Sequence, residues 1–104
     1  MPSVPKADNR DKAYLDHCRE LCRSFRGQCF VTGDRTGLVP HHVRPKAVHG
    51  DKNNIVITTQ WLHCLSSDSA HVLGHYTLFD RAHGVDSLAE ARRMYQAYLE
   101  MGGE

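Results

Sequence analysis

No stretch of this 104-residue chain approaches the roughly 18 consecutive apolar residues that a membrane-spanning helix requires. The opening residues, Met1-Pro2-Ser3-Val4-Pro5-Lys6, run straight into a charged segment and lack the apolar core of a secretory signal. These two absences lead to the expectation of a cytoplasmic protein with no membrane partner. A large excess of charge is also missing. The net charge is +1, which weighs against a protein that grips nucleic acid by bulk charge alone. There is no internal repeat and no compositional break. Residues 1–104 are therefore expected to form one small domain, with residues 1–8 as a flexible lead-in.

A domain of this size buries a limited core, so a bound metal would add useful stability. Four cysteines, Cys18, Cys22, Cys29 and Cys64, are present. In a chain expected to stay in the cytoplasm they read as reduced thiols or metal ligands, not disulfides. The charge is unevenly spread: residues 1–52 carry ten Lys/Arg against six Asp/Glu, and residues 53–104 carry three against six. A basic first half fits a phosphate-facing surface, although the asymmetry is modest.

Histidine is what the chain has in excess. There are eight, and six of them (His41, His42, His49, His63, His71, His75) fall between positions 41 and 75. Imidazole is the commonest metal ligand and the side chain best placed to move a proton near neutral pH.

The apolar pattern Tyr14, Cys18, Leu21, Cys22, Phe25 predicts a helix from about Asn9 to Arg26, stopped by Gly27. Cys18 and Cys22 share that stripe and read as buried small hydrophobes. Cys29-Phe30-Val31 reads as a short strand. Leu38 to Val43 reads as its returning partner, across a turn-rich loop of about six residues. Pro40 suggests an edge position or bulge. Arg44 to Asn53 is polar and turn-like. Ile55-Val56-Ile57 is expected to lead into a helix from Thr58 or Thr59 that carries Trp61, Leu62 and Leu65, with Trp61 in the core and His63 on another face. A further helix is expected from His71 to His83. A last one opens on Ser87-Leu88-Ala89-Glu90, which has capping-box spacing. His17 and His83 read as surface residues.

Hydrolysis of a phosphodiester requires a base for the water and positive charge for the leaving oxygen, and one histidine and one divalent cation can supply them. Adjacent histidines on a strand point to opposite faces, so in Pro40-His41-His42-Val43 one ring can bind metal while the other addresses water. His63 can then close on the same ion from a helix.

Taken together, Cys29-Phe30-Val31-Thr32-Gly33, Val39-Pro40-His41-His42-Val43, Asn53-Asn54-Ile55-Val56 and Trp61-Leu62-His63 resemble the HNH (ββα-metal) endonucleases. The nine residues from Asn54 to His63 match that pattern. A weaker likeness, through His71-Val72-Leu73-Gly74 and Phe79 to Gly84, extends to small phage-type members such as the RecA-dependent phage recombination nucleases. The resemblance implies an α+β fold, with a ββα-metal core over residues 29–71 flanked by one N-terminal and two C-terminal helices. It implies His41 and His63 as metal ligands, His42 as general base, and Asn54 as brace of the loop that orients His42 through a hydrogen bond. For a third ligand His71 is preferred, with His75 behind it. The cofactor would be one divalent ion, Mg²⁺, Mn²⁺, Ni²⁺ or Zn²⁺. DNA would be the partner, met by Arg44, Lys46 and Lys52, and a phage recombination or processing protein could be another.

The chain departs from the pattern in two places. The position four residues after His63 is Ser67, a poor ligand. Where relatives carry Cys-x-x-Cys pairs for a structural zinc, this chain has Cys29 with Thr32, and Leu62 before His63; Cys29 then reads as a packed remnant. Two other readings remain: a non-catalytic zinc-dependent module binding nucleic acid or protein, and a hydrolase of small phosphoesters. The second would need a deep apolar pocket that nothing in the sequence marks.

Overall fold

The computed structural model describes residues 11–103. The expected lead-in, and Asn9 and Arg10 of the expected first helix, lie outside the described residues. The architecture is α+β: a two-stranded antiparallel sheet and, among the described residues, five α-helices and one π-helical turn.

Helix α1 spans Lys12–Arg23. It starts where the Asp11 carboxylate accepts the Tyr14 N–H at 3.0 Å, a side-chain cap that answers one of the free donors of a helix start. Tyr14, Leu15 and Cys18 form its buried stripe. The helix is shorter than its apolar pattern predicts. Ser24 closes it by donating to the Glu20 carbonyl, and Phe25 then takes a left-handed φ of +62° and is 62% exposed. Phe25 therefore lies beyond the helix and outside the core.

The expected strand at Cys29-Phe30-Val31 is a turn. The Cys29 N–H donates to the Asp34 carbonyl and the Gly33 N–H returns to the Cys29 carbonyl, both at 2.8 Å, which folds the segment onto itself. A single bond from the Phe30 N–H to the Ile57 carbonyl (3.0 Å) ties it to the sheet. The sheet itself pairs β1 (Leu38–His42) with β2 (Ile55–Thr59), in a register that sets His41 opposite Val56 and His42 opposite Ile55. Thus Ile55-Val56-Ile57 begins a strand and supplies the partner first sought at residues 29–31. With two strands among the described residues, β1 keeps one edge unpaired by them, which accommodates Pro40.

Strand β2 is buried from Ile55 to Thr58. Ile55 and Ile57 join Tyr14, Leu15, Cys18 and Cys29 in the main core, while Val56 packs with Val43 and Ala91. Sequestering both faces of one strand is what lets so short a chain assemble a core. Each fully buried Ile or Val contributes on the order of 1.5–3 kcal/mol.

Between the strands, residues 43–54 contain the single-turn helix α2 (Lys46–His49). After β2 comes a π-helical turn, Trp61–Leu65, in which the Ser66 N–H donates to the Trp61 carbonyl five residues back. The helix expected from His71 to His83 is two pieces: α3 (Ala70–Leu73) and α4 (Tyr76–His83). Gly74 turns left-handed between them (φ +83°), and the His75 ring caps α4 by accepting the Thr77 N–H. Helix α5 covers Ser87–Glu100. Its cap is Asp86, which accepts from the Ala89 N–H at 3.0 Å. Ser87 instead donates to the Asp80 carboxylate and Glu90 pairs with Arg93, so the expected capping box does not form. Among the described residues no helix is long and apolar enough to cross a membrane.

Candidate functional site

Alternation along β1 sends its two histidines in different directions. The His41 ring meets the imidazoles of His63 and His71, with ring centroids 5.1 and 6.5 Å away. The His42 ring turns into the connecting loop, where its Nε2 lies 2.8 Å from Asp51 Oδ1. Both residues nevertheless line one cleft of about 320 Å³, together with Arg44, His71, His75 and Tyr76.

The three converging imidazoles come from three elements: His41 from β1, His63 from the π turn and His71 from α3. His63 and His71 are the tightest pair, with centroids 4.5 Å apart and Nε2 atoms at 3.2 Å. Two nitrogens bound about 2.0–2.1 Å from one tetrahedral ion stand roughly 3.3 Å apart, so this pair already has the spacing of two ligands. His41 stands wider from His71, and among the described residues no three His, Cys, Asp or Glu side chains form a completed ligand set. The chemistry of the donor set also fits a cation. Burial, followed by the neighbouring His63, His71 and His42, depresses the His41 ring to about 4. Burial and then His71 lower His63 as well. Both rings are thus neutral at physiological pH, the form that binds metal. The Nδ1 of His63 is buried without a hydrogen-bond partner.

Asn54 is fully buried and ties the loop together. Its Oδ1 accepts the Arg44 N–H at 2.9 Å, and its Nδ2 donates to the Arg44 and Gly50 carbonyls at 2.9 and 2.8 Å. The hydrogen bond to His42 comes from another residue of that loop, Asp51, whose side chain is 3% exposed. Burial works to raise the Asp51 carboxyl. The hydrogen bonds from His42 and the Asp11 N–H, with the charge of Lys46, outweigh it and hold the group below the usual carboxylate range. In the sequence Asp51 reads as part of a polar turn. The only signal is an acid closely following the histidine pair in a segment too polar to look buried.

Of the three candidate phosphate contacts, Arg44 lines the cleft and its Nε is buried with no partner. Lys46 is exposed, with Nζ 4.0 Å from Asp51 Oδ1, and Lys52 is half-buried; neither lines the cleft. His75 does line it and stacks on Tyr76, centroids 4.7 Å apart. Ser67 is exposed.

Several smaller expectations change. Trp61 is 61% exposed, because the π turn aims Leu62 at the core in its place. His83 is no surface residue: its Nε2 lies 2.8 Å from the Asp68 carbonyl, pinning α4 to the preceding loop. His17 is half-buried against Tyr98, centroids 4.8 Å apart. Cys18 and Cys29 are buried and Cys22 packs beside them; burial pushes the Cys18 thiol up to about 12 and the Cys22 thiol up to about 11. Compared with family models, curated proteins and solved structures, the chain matches none of them.

Proposed function

We propose that this protein is a metal-dependent endonuclease or nickase of the HNH type that hydrolyses DNA phosphodiester bonds. The observation that carries the proposal is the convergence of His41, His63 and His71 from three elements, two of them, His41 and His71, lining a cleft with His42. The order strand, loop, strand, helical turn agrees with a ββα-metal core, although its boundaries differ from those read in the sequence.

His41, His63 and His71 would hold one divalent ion, Mg²⁺, Mn²⁺, Ni²⁺ or Zn²⁺. When bound, that ion supplies positive charge to the scissile phosphate and the departing oxygen. His42 takes a proton from the attacking water at a ring nitrogen, and water oxygen bonds to phosphorus as the P–O bond to the leaving group breaks. Arg44, which lines the cleft, is the cation best placed to meet a phosphate oxygen. No other lysine or arginine among the described residues lines the cleft, and contacts of this kind read the backbone and not the bases, so low sequence specificity follows. The setting would be cytoplasmic, in phage recombination or processing.

The test is nicking of supercoiled plasmid with each of the four metals. His42→Ala should abolish cleavage and leave metal binding nearly intact. Cleavage by that variant at the wild-type rate would remove His42 as the base. A wild-type protein that fails to cut with any of the four metals, yet unfolds when EDTA is added, would be a zinc-dependent binding module instead.

A further inference from the structure

A histidine base can work only if the nitrogen facing the water lacks a proton, and a neutral imidazole carries its single proton on either nitrogen. Whatever hydrogen-bonds the far nitrogen therefore decides whether the near one can act. In this protein the Nε2 of His42 is 2.8 Å from the buried Asp51 Oδ1, and no hydrogen bond engages its Nδ1 among the described residues. A carboxylate only accepts, so this contact requires the proton on Nε2.

We propose that Asp51 is a positioning residue for the reaction, locking His42 as the Nε2–H tautomer and leaving Nδ1 as the basic atom on the cleft. The inference rests on the proposed role of His42 as general base. Asp51 is itself immobilised. Its Oδ2 accepts the backbone N–H of Asp11 at 3.1 Å, at the start of α1. Its Oδ1 also faces the Lys46 ammonium at 4.0 Å. The loop that presents it is closed by the three hydrogen bonds of Asn54. The carboxylate also stabilises the imidazolium that forms as the water is deprotonated, as an aspartate does behind a catalytic histidine in other hydrolases.

The two oxygens of Asp51 make the substitution Asp51→Asn informative. The Asp11 N–H demands an acceptor, so the amide oxygen must stay on that side and the amide N–H₂ must face His42. The ring is then driven to accept at Nε2 and carry its proton on Nδ1, the nitrogen that should be free. Long-range ¹H–¹⁵N NMR of the His42 ring, at a pH where it is neutral, reads the tautomer directly and needs no activity. We expect the wild type to show Nε2–H and Asp51→Asn to show Nδ1–H. Plasmid cleavage by Asp51→Asn should lose kcat by on the order of 10²–10³-fold with KM nearly unchanged, a split that simple loosening of the loop would not produce.

A wild-type ring protonated on Nδ1 overturns the proposal. So does a variant whose tautomer and kcat are both unchanged. Should Asp51→Asn fail to fold, the wild-type spectrum alone still decides the tautomer. If the wild type cleaves nothing, the proposed function fails, while the ring spectrum separately reports whether Asp51 holds the tautomer.

Discussion

The side-chain amide of Asn54 answers three backbone groups of one loop, and it does so with no exposure to water. Truncation would leave an N–H and two carbonyls without their partner in a buried place, each worth about 1–3 kcal/mol before water or relaxation recovers part of it. Asn54→Ala should therefore lower stability by about 2–4 kcal/mol, read as a shift in the urea midpoint at constant slope. A loss under about 1 kcal/mol would mean that the loop is held by something else. His17 carries a different kind of sensitivity. Burial against Tyr14 and Tyr98, and then the charge of Arg26, lower its pKa below the ordinary 6.5. As the pH falls through 6.5 the unfolded chain takes up this proton before the folded one, so stability must fall with it. His17→Gln, which cannot titrate, should flatten part of the stability loss between about pH 7 and about pH 5. An identical slope in both proteins would show that His17 contributes none of it.

At the scale of elements, the loop from Val43 to Asn54 matters most, because it carries both residues that organise His42. Gly50 sits in it at φ +69° and ψ −148°, a region that a side chain essentially forbids. Gly50→Ala should cost about 1–3 kcal/mol and loosen the presentation of Asp51, seen as a lower urea midpoint together with weaker definition of the His42 ring by NMR. An unaltered midpoint would refute the strain. Here also lies the limit of what could be read in advance. The pair His41-His42, and His63 nine residues after Asn54, were visible because strand alternation and short spacings are local facts. The partner of β1 was not. Cys29-Phe30-Val31 has strand-like residues and the nearer position, yet its hydrogen bonds close on Asp34, and β2 wins by burying both of its faces. Trp61 reads as a core residue in the sequence because large apolar side chains usually point inward. A π turn changes which side chain points in, and nothing in Trp61-Leu62-His63-Cys64-Leu65 announces one. Asp51 was illegible for a further reason: its burial is conferred by Asp11 and His42, forty and nine residues away.

At the scale of the whole molecule, the candidate ligands join parts that are otherwise held unequally. His41 stands on β1, which pairs with the buried strand β2, whereas His71 stands on α3, a single turn of four residues. A helix that short has no stability of its own in water and depends on tertiary contacts. An ion shared by His41, His63 and His71 would tie that turn to the sheet, and a ligand that binds only the folded chain stabilises it by mass action. At free metal about 100 times its dissociation constant the gain is about 2.7 kcal/mol. For a domain of this size that is a rise in Tm of roughly 10–20 °C. Thermal unfolding with and without Zn²⁺ or Ni²⁺ should show it. Trp61, the single tryptophan, lies two residues from His63 and offers a fluorescence signal for the same titration. The rise should vanish in His63→Ala and His71→Ala and persist in His75→Ala. If His75→Ala abolishes it and His71→Ala does not, the third ligand is His75 and the 3.2 Å approach of His71 to His63 is a hydrogen bond alone. A rise that survives removal of His41, His63 and His71 in turn would place the ion elsewhere and take the metal-dependent reading of this cleft with it.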